Sequence, residues 1–386
     1  MNKIIEDSFK VFLIKAANIV LRILYVLPID KKSILLMSYN GSQFSCNPKY
    51  IAEYIRVNYK DKYKLIWVVN DKKEFLYIKE KGYQIIKYNS FEYLIKILTA
   101  KVIITNIVIS NYIPIRKKQF LVNTWHGGGA YKKALYNEEK ISKSIKSAYA
   151  DQINLYISSC NRFSELIIRK TFNYDGAILE SGLPRNDIFF LGNEKIKQHI
   201  KDFYDIDHNK KILLYAPTYR DLNIGVKYDL DVKRVLEALT QSFGGDWVLF
   251  VRAHHATLDN LSINFDTSLV IDTSKYPDMQ ELLYTADVLI TDYSSSIWDF
   301  SIMKKPCFLY ATDLDFYKTE RDFYIDINKW HFPLSQNNND LIKKIMNFNV
   351  VDFNLNMELH HKEWGSFEDG KATQRIVETI ISRITD

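Results

Sequence analysis

Apolar residues along this chain fall into short unbroken runs, separated by longer stretches in which they recur every three or four positions. The runs are short and show no polar alternation, so they read as strands covered on both faces. In the first half they are Ser33–Tyr39, Lys64–Val69, Tyr83–Tyr88, Val102–Thr105, Gln119–Thr124, Leu155–Ser159 and Ala177–Glu180. Pro48–Tyr59, Lys72–Lys81, Phe91–Thr99 and Arg162–Thr171 read as helices between them. A polar, charged stretch from about Gly192 to Lys210 interrupts the pattern. It resumes with strands Ile212–Ala216, Trp247–Arg252, Leu269–Ile271, Val288–Thr291 and Cys307–Tyr310, and with helices Val232–Phe243, Asp278–Ala286, Ser296–Met303 and Asp340–Met346. Such alternation predicts an α/β protein of two Rossmann-like domains with mostly parallel sheets, over residues 30–195 and 205–345. Asp369 is the expected cap of a last helix. Two domains of this type direct their strand C-termini toward a shared cleft, where ligands of open α/β sheets bind.

Residues 1–29 follow another pattern. They are strongly apolar from Ile4 to Leu27, but Lys10, Lys15 and Arg22 interrupt the run. That disfavours a spanning helix, and no small-residue cleavage site marks a secretory signal. Lys3, Lys10, Lys15, Arg22, Lys31 and Lys32 outnumber Glu6, Asp7 and Asp30. A basic, apolar helix of this kind suits an anionic membrane interface, with packing on the protein's own core as the alternative.

Composition narrows the function classes. Apolar content of 47% and charged content of 25% are globular values, and 386 residues suit two domains with real cores. The net charge of +6 is compatible with phosphate-bearing ligands and far from a nucleic-acid-binding tail. Cys46, Cys160 and Cys307 are widely spaced and odd in number, which fits neither a disulfide framework nor a metal cluster.

Candidate chemistry clusters at strand ends. Strand Gln119–Thr124 runs into Trp125, His126 and three glycines, Gly127, Gly128 and Gly129. His126 is the one side chain of that stretch titrating near neutral pH, and glycines let backbone N–H groups approach an anion. The alternative is a tight turn beside a partly buried histidine. Ser181–Asp187 follows strand Ala177–Glu180, and Pro217–Asp221 follows Ile212–Ala216. Arg252 and His254 follow Trp247–Val251, and Asp292, Ser294, Ser295 and Asp299 follow Val288–Thr291. Arg185 and Arg252 offer multiple donors to phosphate, and Ser294 and Ser295 offer hydroxyls and free N–H groups at a helix start. Each has a plainer reading: a helix cap for the serines, an ion pair with Asp187 for Arg185, a strand end for Pro217.

Taken together and in order, Trp125-His-Gly, Gly182-Leu-Pro-Arg-Asn-Asp187, Tyr215-Ala-Pro-Thr-Tyr-Arg-Asp221, Arg252-Ala-His254, Thr291-Asp-Tyr-Ser-Ser295 with Asp299, and Asp369-Gly-Lys-Ala372 resemble the CDP-glycerol glycerophosphotransferase family of teichoic-acid and capsule synthesis. The resemblance implies a GT-B-like fold in which the C-terminal segment, residues 346–386, returns to the first domain. It implies transfer of glycerol phosphate from CDP-glycerol to a hydroxyl of a lipid-linked acceptor, with release of CMP, at the cytoplasmic face of the membrane. His126 would be the general base and His254 a second essential histidine at the donor phosphates. Trp125, Gly127, Gly128, Arg185, Pro217, Thr218, Arg252, Ser294, Ser295 and Asp299 would line the CDP-alcohol site. Family polymerases usually carry a small hydroxyl residue and Pro where Gly128 and Gly129 stand, which leaves CDP-ribitol open as the donor.

No carboxylate pair is placed to hold a metal, and Asp292, the nearest candidate, reads as a cap. Catalysis is therefore expected without an obligatory protein-bound metal, with Mg²⁺ at most accompanying the nucleotide. A nucleotide-sugar glycosyltransferase of the same fold and a catalytically silent membrane scaffold are the competing readings.

Overall fold

The computed structural model describes residues 2–133, 151–218, 229–253 and 269–385. Two units form. One comprises Met1–His126, Asn137–Asp187 and Phe367–Asp386, the other Gly127–Tyr136 and Ile188–Ser366.

The first unit is built on seven parallel strands: β1 (Asp30–Met37), β2 (Lys64–Val69), β3 (Gln84–Lys87), β4 (Ala100–Thr105), β5 (Phe120–Asn123), β6 (Leu155–Ser158) and β7 (Ala177–Glu180). Their spatial order is β3-β2-β1-β4-β5-β6-β7. The order reverses between β1 and β4, the topological switch point where open α/β sheets bind ligands. The central strands are apolar over their buried stretches, Ile34–Met37, Leu65–Val69 and Val102–Ile104, as strands covered on both faces are. Ile34, Leu36, Trp67, Val69, Val102 and Ile104 meet Ile51 and Ile55 of the helix Cys46–Asn58 and Ile376, Val377 and Ile380 of the last helix, Ala372–Thr385. The part of the C-terminal segment that belongs to this unit begins at Phe367, later than the residue 346 that the resemblance implies.

That helix is capped differently from expectation. Asp369 accepts from the Lys371 N–H at 3.0 Å and pairs with Arg375 at 2.7 Å. The helix-start N–H groups of Ala372 and Thr373 donate instead to Asp187, at 3.0 and 2.7 Å. Burial raises the Asp187 carboxyl above its usual pKa, although these bonds favour its charged form.

The second unit carries β8 (Lys211–Ala216), β9 (Trp247–Val251), β10 (Val270–Asp272), β11 (Val288–Thr291), β12 (Cys307–Tyr310) and β13 (Leu334–Ser335), all parallel, in the order β10-β9-β8-β11-β12-β13. Its switch point lies between β8 and β11. The polar stretch that interrupts the sequence pattern contains a helix, Glu194–Phe203, capped by Asn193 and buried through Ile200. A further helix, Val350–Trp364, ends at Gly365 in the left-handed conformation (φ +64°) and belongs to this unit. Its Trp364 is buried beside Tyr131, Trp298 and His360.

The N-terminal helix spans Asn2–Leu21 and a 3₁₀ turn spans Arg22–Val26. Arg116 ties that turn to the first unit, donating to Leu27 O at 2.7 Å and Tyr25 O at 3.1 Å, and Tyr25 Oη donates to Pro114 O at 2.9 Å. Phe12, Leu13, Ile19, Val20, Ile23 and Val26 remain exposed. Among the described residues, no helix is long and apolar enough to cross a membrane.

Candidate active site

In the first unit, β1, β4 and β5 end side by side at the switch point, and their exits deliver the chemistry. β5 ends at Asn123, whose Oδ1 accepts the Trp125 N–H at 2.8 Å. This bond helps to turn the chain, and Trp125 takes a left-handed backbone (φ +49°). The turn presents His126, whose ring stacks on Trp125 at 4.4 Å between centroids. His126 Nδ1 lies 2.8 Å from the carbonyl oxygen of Asn106, just past β4. A carbonyl only accepts, so Nδ1 carries the proton and the neutral ring keeps its basic lone pair on Nε2. That is the tautomer a general base needs.

The support beneath His126 was not legible in the sequence. Arg185 is buried (3% exposed), and its Nη1 donates to His126 O at 2.8 Å and to Cys46 Sγ at 3.3 Å. Its backbone N–H donates to Asn47 Oδ1 at 3.2 Å. Asn47 Nδ2 in turn donates to Thr124 O at 3.2 Å and Trp125 O at 3.1 Å. Arg185 does not pair with Asp187, which is committed to the last helix. The Gly182–Asp187 loop is held by the C-terminal segment of the same unit: Glu368 accepts from the Leu183 N–H at 3.1 Å and from Asn186 Nδ2 at 2.9 Å. Gly182 (φ +80°) passes so close that an added Cβ would lie 2.8 Å from Glu368 Oε2.

The second unit gathers a separate set at its own switch point. Asp292, following β11, accepts from the Thr218 N–H, following β8, at 2.9 Å, from the Thr218 hydroxyl, and from the Tyr293 N–H. It therefore latches two strand exits. Pro217 and Thr218 sit on one side of this latch, and Ser294 and Ser295 follow it, both half-buried. Ser294 Oγ accepts from the Ser296 N–H at 3.3 Å, so one serine helps to start the helix Ser296–Ser301. Asp299, on that helix, is buried and accepts from Gln280 Nε2 at 2.8 Å. Arg252 Nη1 donates to the carbonyls of Thr273 and Tyr276, at 3.0 and 2.5 Å, and so braces the loop after β10. His254 lies outside the described residues, as do Tyr219, Arg220 and Asp221.

Gly127, Gly128 and Gly129 belong to the second unit. There Gly128 packs on the buried indole of Trp298, and an added Cβ would lie 2.3 Å from its Cδ1. The following residues are fixed by an antiparallel bridge from Lys132 to Phe323 and by a bond from the Tyr324 N–H to Tyr131 O at 2.9 Å.

Residues 19–382 match the sequence model of the family described as CDP-glycerol:poly(glycerophosphate) glycerophosphotransferase. The chain belongs to this family. It is 31% identical to a teichoic acid poly(glycerol phosphate) polymerase of Bacillus spizizenii, over 97% of this chain and 98% of that one. It is 30% identical to the corresponding polymerase of Bacillus subtilis, covering 98% of this chain but only 51%, about half, of the relative. Among solved structures it resembles the wall teichoic acid polymerase TagF in a histidine-to-asparagine variant soaked with CDPG. The TM-score is 0.79 and the identity 28%, with 98% of each chain covered.

Proposed function

We propose that this chain transfers glycerol phosphate from CDP-glycerol to a hydroxyl of a lipid-linked acceptor, releasing CMP, in teichoic-acid or capsular polysaccharide synthesis. The observation that carries the reading is a match to the family over nearly the whole chain, joined to a histidine of defined tautomer at the first unit's switch point. In this GT-B-like scheme His126 Nε2 takes the proton of the acceptor hydroxyl. The acceptor oxygen bonds to the glycerol-bearing phosphorus as the bond to the CMP oxygen breaks. Pro217, Thr218, Arg252, Ser294 and Ser295 hold the CDP-alcohol, with Trp125, Gly127, Gly128 and His254 contributing as the family resemblance implies. Arg185 and Asp299 line the same site, as the resemblance implies. The scheme needs no obligatory protein-bound metal, and Mg²⁺ enters only with the nucleotide. Incubation of purified protein with CDP-glycerol or CDP-ribitol and lipid-linked saccharide acceptors, read by mass spectrometry, tests it. CMP and an acceptor heavier by glycerol phosphate are expected. CMP release from CDP-ribitol alone would reassign the donor, and release from neither would refute the reading.

Work at the cytoplasmic face of the membrane is part of the proposal. The exposed apolar side chains between Phe12 and Val26 would enter the interface, and the neighbouring basic residues would add about 1 kcal/mol each near anionic lipid. Because Tyr25 and Leu27 are bonded to the first unit, the informative truncation stops at Leu21. Removing residues 2–21 is expected to abolish flotation with anionic vesicles while a soluble acceptor analogue is still used. Flotation that survives truncation, or a full-length protein indifferent to lipid charge, would contradict this.

A further inference from the structure

Four of the eleven described non-glycine residues with positive φ lie on the segments that follow β1 and β5. Tyr39, Asn40, Cys46 and Trp125 all take positive φ without being glycine, at +47°, +55°, +60° and +49°. Such conformations persist only where the surroundings over-determine them, and they cluster at functional sites. At Trp125 the restraint can be traced to individual bonds. Asn123 holds its N–H, and Asn47 holds its carbonyl.

We propose that Asn47 is a positioning residue for His126. Its side chain is fully buried, and its amide orientation is fixed by its partners. Two carbonyls, of Thr124 and Trp125, require the NH₂ on one side, and the Arg185 N–H requires the oxygen on the other. Asn47 therefore binds the residue before His126 directly. It also seats the backbone of Arg185, whose guanidinium binds the carbonyl of His126 itself. The two contacts hold the His126 peptide from consecutive carbonyls, which fixes the direction in which the ring leaves the chain. With that direction set, Nδ1 meets Asn106 O and Nε2 carries the lone pair. Asn47 touches no reacting atom in this account and acts only through His126.

The inference rests on the proposed transferase reading, but its test does not depend wholly on it. Asn47→Ala removes both ties. Asn47→Asp keeps the size while turning a donor toward two carbonyls into an acceptor. Displacing a catalytic group by about 1 Å can cost about 100-fold in rate, so both variants are expected to lose about 10- to 100-fold in kcat. KM for CDP-glycerol should stay close to wild type, because the donor residues are untouched. The second readout is ¹⁵N NMR of histidine-labelled protein, with the His126 signals assigned by their loss in His126→Gln. Wild type should show one neutral tautomer protonated at Nδ1, and the variants a mixture. Wild-type kcat with an unchanged tautomer, whatever the melting temperature, would overturn the assignment. If Asn47→Ala fails to fold, Asn47→Asp carries the test. If wild type transfers nothing from CDP-glycerol, the transferase reading fails, and the NMR comparison alone decides whether Asn47 positions the ring.

Discussion

His126→Ala is expected to reduce kcat for glycerol phosphate transfer by about 10²- to 10⁴-fold, the usual worth of a positioned general base. In free energy this is about 2.7–5.4 kcal/mol of lost transition-state stabilisation. The expectation follows from one bond. Nδ1 faces the Asn106 carbonyl at 2.8 Å, so the proton sits on Nδ1, and Nε2 is the nitrogen able to accept one. Alanine deletes that lone pair but leaves Asn47, Arg185 and the Trp125 turn in place, since these hold the backbone and not the ring. The melting temperature should therefore move little, and KM for CDP-glycerol should change less than kcat. Steady-state kinetics beside a thermal melt separates the cases. A folded His126→Ala protein with near wild-type turnover would remove His126 from the chemistry. A protein that loses activity only by melting lower would make the ring structural.

How much of this could be read from the sequence depended on how local each signal is. Strands such as Lys64–Val69, Val288–Thr291 and Cys307–Tyr310 were legible because a strand buried on both faces must be an uninterrupted apolar run. The helix Glu194–Phe203 was not, because it buries little beyond Ile200 and its remaining charges resemble a linker. His126 was legible as chemistry because it stands at a strand end before three glycines. Its support was not: Asn47 lies 77 and 78 residues from the carbonyls it binds, and nothing local marks an asparagine for that task. Arg185 shows another side of this. Its charge suggests phosphate, and nothing local announces that its Nη1 also binds the carbonyl of His126 and the thiol of Cys46. Asp187 and Asp369 exchanged expected parts for a similar reason. Proximity in sequence favours Asp369 as the cap, while the fold brings Asp187 to the helix start from 185 residues away.

Gly128→Ala is expected to destabilise the second unit by about 1–3 kcal/mol, the range for overpacking a filled core. For a unit of this size that is a fall in melting temperature of about 2–4 °C per kcal/mol. The sequence suggests that the glycines serve an anion, whose approach a flexible backbone permits. The structure supplies a different reason for this one. An added Cβ at Gly128 would lie 2.3 Å from Trp298 Cδ1 and 2.9 Å from its Cγ, and that indole is fully buried. Gly128 does not take a positive φ, so the cost is one of space and not of conformation. Trp298 therefore accounts for the missing side chain at this position. Alanine keeps the backbone N–H, so an anion-binding role would survive the substitution in its donor and fail only through displacement. Trp298→Leu supplies the second leg of a double-mutant cycle. Leucine removes the ring that blocks the Cβ, so the double variant should be less destabilised than the two single changes added together, with a coupling of about 0.5–3 kcal/mol. A Gly128→Ala protein that melts like wild type but binds CDP-glycerol more weakly would make Gly128 a substrate contact only and sink the packing account. A lower melt that Trp298→Leu partly repairs would show that this glycine is retained because the indole occupies the space a side chain would need.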